Sequence, residues 1–364
     1  MLTPITNTPR DYAWGGVDAI SGLLGLPRTG GPEAELWLGT HAGSPAGLVA
    51  DGRPLAEVSG PLPFLLKVLA ADAPLSLQVH PNARQAAAGF ARESAAGVPV
   101  DAPERVYRDP YAKTEIILAV SERFEAQAGF RAAGEVRADL ARLDLDGLEG
   151  LRERLGDATM GHAFLWLLSD APNAVAAVGD IRAALASRAT EFPVQAGLAE
   201  RYPVDPGVAA SLLLNHVVLR RGEALAIAPG TIHGYLRGVG IELLTASDNV
   251  VRGGLTPKHI DLAELAELLT PDAQAPHRLA GVAAAGGGAE FVPPGDPPPF
   301  RLHRVETNAR LALAGPAVAI CVSGEFDVRG ARSSASLARG AAVFASPDES
   351  ELDLVGEGEL YIAQ

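Results

Sequence analysis

The sequence predicts a mainly β protein interrupted by a helical insertion, and three observations carry that expectation. Short apolar runs between Gly and Pro turns dominate residues 1 to about 70, and strand-like runs resume at Asn215. Between them the pattern turns helical, with Val136, Leu140 and Leu143, then Ala177, Ile181 and Leu185, spaced by three and four. A weak internal repeat joins the two β regions: Leu219-x-Arg-Gly-x-Ala-x4-Pro229 recurs as Leu337-x-Arg-Gly-x-Ala-x4-Pro347. The same β unit is therefore expected twice, built as double-sheet jelly rolls.

The expected organisation is a discontinuous first barrel of the cupin kind (1–133 and 215–285), a helical insertion (134–214), and a second, degenerate cupin-like barrel (295–364). In the first barrel, Pro63-Phe-Leu-Leu-Lys-Val-Leu69 reads as a buried strand carrying one charge, Lys67. The turn Asp72-Ala-Pro74 then leads to a second strand, Leu75–Asn82, expected to pair with the first as a hairpin. Ala-rich sequence after Pro81 predicts a helix to about Ala96. Tyr111-Ala-Lys-Thr-Glu-Ile-Ile-Leu-Ala-Val120 is a buried strand headed by Lys113 and Glu115. In the insertion, Asn173 is expected to cap a helix. Two β runs separated by Arg-Gly-Glu follow Val217, and a helix is expected over 261–269. Gly286 to Gly288 and the prolines at 293, 294 and 297–299 suggest a linker.

Composition narrows the function. A net charge of −14 opposes a nucleic-acid partner, because neutralising phosphates needs a basic surface. The single cysteine, Cys321, excludes a disulfide framework, and its apolar run predicts a buried, inert thiol. No apolar span is long enough for a membrane helix and no signal layout is present, so a cytoplasmic protein is expected.

Chemistry concentrates on the strand Leu-Ser-Leu-Gln-Val-His-Pro-Asn, residues 75–82. Alternation puts Leu75, Leu77 and Val79 on one face and Ser76, Gln78 and His80 on the other. Two imidazoles (His80, His233), one carboxylate (Glu115) and one amide (Gln78) make a donor set suited to a divalent transition metal. Spacing alone leaves a metal centre and a solvated polar face equally open.

Several blocks then add to this reading. Gln78-Val-His80-Pro-Asn82, Lys113-Thr-Glu115, Pro229-Gly-x-x-His233-Gly-Tyr235 and Ser247-Asp-Asn-Val-Val-Arg-Gly-Gly-Leu-Thr-Pro-Lys258 resemble signature blocks of type I mannose-6-phosphate isomerases. Ala34-Glu-Leu-Trp37, Gly39-Thr-His41 and Phe124-Glu-Ala-x-x-Gly-Phe130 are similar to further blocks of that family. The resemblance implies one Zn2+ per chain, or another divalent ion, held by Gln78, His80, Glu115 and His233. It implies Arg252 as the catalytic arginine, with Lys113 and Asp248 in the active site and Lys258 matching the family's lysine. Ala112 stands where family members often carry histidine, so schemes needing that imidazole do not transfer.

Aldose–ketose isomerisation moves a proton between adjacent carbons through an enediol, which needs charge stabilisation and a positioned base. Arg252 suits the first role, since guanidinium holds its proton. Lys113, Lys67, Glu242 and Asp248 stay open as proton-transfer groups, while Ser76, Lys67, Lys258 and Tyr235 are expected to bind substrate or its phosphate. The expected partner is a phosphorylated hexose, with no nucleic acid or membrane, in a monomer or weak homo-oligomer. The competing reading is a non-catalytic metal- or sugar-binding cupin.

Overall fold

The computed structural model describes residues 1–157 and 159–364. Two ten-stranded sheet systems and a small pair, Gly16–Val17 with Pro32–Glu33, make up the β part, and the element that organises the first large sheet is the long strand His233–Thr245. Its start pairs with Phe124–Phe130 and Gln78–Val79, and its later part pairs with Phe64–Ala71 and Glu115–Ala119. The strand crosses from one layer to the other at a register shift between Tyr235 and Arg237. Gly238 makes this crossing possible: its φ is +123°, and a Cβ there would lie 2.8 Å from Arg123 O.

The expected hairpin between 63–69 and 75–82 does not form. Phe64–Ala71 pairs with Glu35–Leu38 and His233–Thr245, whereas Gln78–Val79 pairs with His233 and with Val251–Arg252. The loop at Asp72–Pro74 carries the chain between layers, and both edges of Phe64–Ala71 are already filled. Only Gln78 and Val79 of that run are ladder residues. The alternation still holds where it matters, because Leu77 and Val79 are fully buried and pack into the core of the helical insertion.

That insertion comprises the helices Ala133–Leu143, Glu149–Asp157, Met160–Leu167, Pro172–Ser187, Pro193–Arg201 and Gly207–Ala210. Val136, Leu140, Leu143, Ala177, Ile181 and Leu185 form its core, as their spacing predicts. Asn173 is not the cap: Pro172 is already the first helical residue, where its missing N–H costs nothing. The helix Ala83–Ala95 starts on a reciprocal capping box between Asn82 and Gln85. Asp261 likewise caps Leu262–Leu268.

The second sheet holds a surprise at its edge. Strand Leu2–Thr6 pairs with Ala342–Ala345 on one side and with Gly47–Leu48 on the other, so it joins the second sheet rather than the first. Leu2 packs with Ala317 and Val343, and the strand covers an edge that would otherwise be open. Gly286–Gly288 is a turn between Val282–Ala283 and Ala289–Phe291 rather than a free linker.

The internal repeat is a repeated turn. Gly222 and Gly340 have φ of +83° and +87°, and the strands that follow, His233–Thr245 and Glu351–Ala363, are both 13 residues long. In each copy the arginine reaches into the other half. Arg221 pairs with Glu359, while Arg339 donates to the carbonyls of Gly22 and Leu23, at the end of the helix Ala19–Leu24.

Candidate metal centre

Because His233 sits directly across from Gln78, and Gln78 across from Arg252, three residues distant in sequence share one patch of sheet. His80 follows two residues on. Glu115 arrives from the opposite layer, where Glu115–Ala119 pairs with the far part of the crossing strand. The ligand atoms of His80, Glu115 and His233 all lie within 4.8 Å of one another, and all three residues are buried. Among the described residues no second group of His, Cys, Asp and Glu is so arranged; Glu351, the repeat counterpart of His233, is exposed.

The hydrogen bonds decide how these groups point. His80 Nδ1 lies 2.8 Å from the Asn249 carbonyl, and His233 Nδ1 lies 3.0 Å from the Thr231 carbonyl. A carbonyl only accepts, so each Nδ1 carries the proton and each Nε2 presents a lone pair. Those lone pairs face Glu115, at 3.1 Å from His80 and 3.4 Å from His233. His80 Nε2 makes no hydrogen bond despite that short approach. Two lone pairs converging on a carboxylate in a dry site are unfavourable alone and suit a cation held among them. The donor set therefore fits a divalent metal. Gln78 lines the same cavity, its amide donating to Ser76 Oγ at 3.2 Å.

Electrostatics agree with this assignment. Burial pushes the His80 imidazole down to about 4, with Lys113 adding to the effect, so the ring stays neutral. Burial pushes Glu115 upward, but the Lys113 ammonium, 3.1 Å away, opposes it and holds the carboxylate well below its usual range. Tyr235 donates its hydroxyl to Glu115 Oε2 at 3.2 Å, and burial drives its phenol far above the ordinary value.

Beside these groups lies a narrow cavity of about 70 Å³, which Lys67 and Glu242 also line. Lys67 Nζ is 3.2 Å from Glu35 Oε1, 3.1 Å from Glu242 Oε2 and 4.7 Å from the Trp37 ring centre. Burial would lower this ammonium, but its two carboxylates prevail and raise it. One cation cannot satisfy both acids, and burial pushes Glu242 up to about 7. Three roomier clefts, of 540, 510 and 580 Å³, lie elsewhere around Arg123 and hold none of these residues.

Outside the lining of that narrow cavity, Asp248 pairs with His41 at 3.1 Å, which outweighs partial burial and lowers its carboxyl. Arg252 is lowered by burial and then by Arg108, while Lys258 is lowered first by Arg252. These three cations influence one another, and among the described residues none has a carboxylate oxygen within 4.0 Å, although Arg108 helps to lower Asp248.

Sequence reasoning missed five residues, Arg108 among them. Glu35 and His41 lay in recognised blocks without an assigned role. Asp109 accepts from Ser247 Oγ and from the Asp248 N–H, and Asn249 accepts from the N–H groups of Arg108 and Asp109. That knot holds the Asn249 carbonyl against His80. The Ser-Asp-Asn block was the available signal, but its work is done by backbone groups.

Fold and site together define a cupin-fold protein with a buried divalent-metal centre. Residues 52–133 match the family model of the phosphomannose isomerase type I catalytic domain. The chain is 34% identical to the mannose-6-phosphate isomerase of Salmonella typhimurium, covering 99% of this chain and 98% of that protein. It is 33% identical to the Escherichia coli enzyme, with the same coverage. A crystal structure of mannose 6-phosphate isomerase bound with zinc and yttrium superposes with a TM-score of 0.88 at 32% identity, over 100% of this chain and 98% of the other. The chain belongs to the type I mannose-6-phosphate isomerases.

Proposed function

We propose that this protein interconverts mannose 6-phosphate and fructose 6-phosphate, with zinc held by Gln78, His80, Glu115 and His233. The observation that carries the reading is the pair of imidazole lone pairs aimed at one buried carboxylate. When bound, the ion supplies Lewis-acid polarisation of the sugar's oxygens.

The chain's own residues supply the rest. Glu242, pushed up to about 7 and lining the cavity, is poised to accept and return a proton near neutral pH. Lys67 is its fixed partner; an ammonium raised by two carboxylates is a poor base. Asp248 is occupied by His41, and Lys113 by Glu115. Arg252 stabilises negative charge and orients the substrate. The phosphate goes to Lys258, Arg252 and Arg108. Lys67 and Tyr235 are engaged with buried acids, and Ser76 remains beside Gln78. In this division 1–133 and 215–285 carry the chemistry, 134–214 backs it, and 295–364 braces it.

The test is elemental analysis and a coupled isomerase assay with mannose 6-phosphate. One zinc per chain, loss of turnover on chelation and recovery on adding zinc are expected. Full turnover by protein verified to be metal-free would overturn the assignment. No helix among the described residues is long and apolar enough to cross a membrane.

A further inference from the structure

The helical insertion reaches the site through one carboxylate that the chemistry above does not use. Asp205 lies between the helices Pro193–Arg201 and Gly207–Ala210. Its Oδ1 accepts from the N–H groups of Gly207 at 2.7 Å and Leu255 at 2.9 Å, and its Oδ2 accepts from Thr256 N–H at 2.8 Å. Leu255 and Thr256 belong to the loop joining Arg252 to Lys258.

That loop has an unusual backbone. Gly254 has φ of +121° and Leu255 of +55°, the latter a region that bulky L-residues rarely enter. The insertion presses closely here: a Cβ on Gly207 would lie 2.6 Å from Leu255 N and 2.9 Å from Gly254 Cα. The other side of the loop is pinned to Leu77 by Gly253 N–H at 2.8 Å and by Leu77 N–H to the Gly254 carbonyl at 3.0 Å. Tyr202, from the same segment as Asp205, donates to the Pro74 carbonyl at 2.8 Å, just ahead of Ser76.

We propose that Asp205 is a positioning residue that shapes loop 252–258 into an anion-binding turn, presenting Arg252 and Lys258 to the substrate's phosphate. This rests on the functional reading above. The physical logic lies in what the carboxylate binds. Arg108, Arg252 and Lys258 repel one another, which would spread a free loop. An acid placed against their side chains would gather them but would also neutralise the charge meant for phosphate. Asp205 instead accepts only from backbone N–H groups, so the loop is held while its cations stay available.

The test uses full-length, zinc-loaded protein carrying Asp205→Asn or Asp205→Ala. The readouts are kcat and KM for mannose 6-phosphate, and the Kd of inorganic phosphate by titration calorimetry. Asp205→Asn keeps the shape but loses at least one accepted N–H. It is expected to raise KM and the phosphate Kd together by about tenfold while changing kcat by less than about threefold. Asp205→Ala should go further in the same direction; if it fails to fold, the Asn variant decides. A lower melting temperature with unchanged KM and phosphate Kd would mean a merely structural role and overturns the proposal. Absence of isomerase activity in the parent would sink the functional reading, whereas phosphate titration still judges the loop. A parent that binds no phosphate, or an Asn variant that binds it as tightly as the parent, overturns the inference.

Discussion

Replacing Lys67 by methionine separates a structural charge from an idle one. The ammonium is 8% exposed and lies within 3.2 Å of both Glu35 and Glu242. Methionine fills a similar volume, so the main effect is two buried carboxylates without their cation. Removing one partner of a buried pair costs about 3–5 kcal/mol. With an unfolding entropy of about 2.1 cal/mol/K per residue, that cost lowers the melting temperature of 364 residues by about 5 °C. The deficit should depend on pH. Glu242 already stands at about 7 with Lys67 holding it down, so losing the ammonium raises its folded-state value further above the unfolded one. A carboxyl raised in this way stabilises the fold below the unfolded pKa and loses that contribution as pH rises through the folded one. The Lys67→Met deficit should therefore be largest above pH 7 and shrink towards pH 4–5. Thermal and urea unfolding of parent and variant at pH 8 and pH 5 would measure it. A deficit below about 1 kcal/mol at pH 8, or one equal at both pH values, would refute the argument.

Three other substitutions probe the site. Glu242→Gln should lower kcat by about 10²–10⁴-fold with zinc content unchanged; near-parental kcat would return the proton-transfer role to Lys113 or Asp248. Arg252→Ala should fold and bind zinc yet lose at least about 10²-fold in kcat/KM, and Arg252→Lys should recover only part of it, as steady-state kinetics would show. Asn249→Ala frees the backbone that orients His80, so zinc affinity, read by competition with a chromogenic chelator, should fall about 10–100-fold. Unchanged affinity would show that the Asn249 carbonyl holds its place without the side-chain knot.

Alternation on a short strand put Gln78 and His80 on one face, opposite Leu77 and Val79. That they would join Glu115 and His233 rested on the family resemblance, because no local spacing dictates the meeting. Lys67 and Glu115 announced themselves as charges inside apolar runs, which must find partners once buried. Strand pairing was not legible. A turn at Asp72–Pro74 suits a hairpin as well as a passage between layers, and only the bend at Gly238 in a distant strand decides which occurs. The knot of Asp109, Ser247 and Asn249 was hidden for another reason. It acts through carbonyls and N–H groups, which every residue owns, so side-chain chemistry does not advertise it. Asp205 is the same case: an acid in a helical region looks like solvated surface until its acceptors are traced.

The pairing of Leu2–Thr6 with Ala342–Ala345 has a consequence in time. A strand made among the first residues waits for a partner made more than 300 residues later. At roughly 5–20 residues per second, that interval is on the order of 15–70 s on the ribosome. Throughout it, Ile5 and Thr6 can pair with Gly47–Leu48, but the edge of Leu2–Thr6 that Ala342–Ala345 covers stays open. The enzyme's birth is thus closed by a late stitch, and a pause or stop in translation before Ala342 leaves the opening segment free to be captured by other chains.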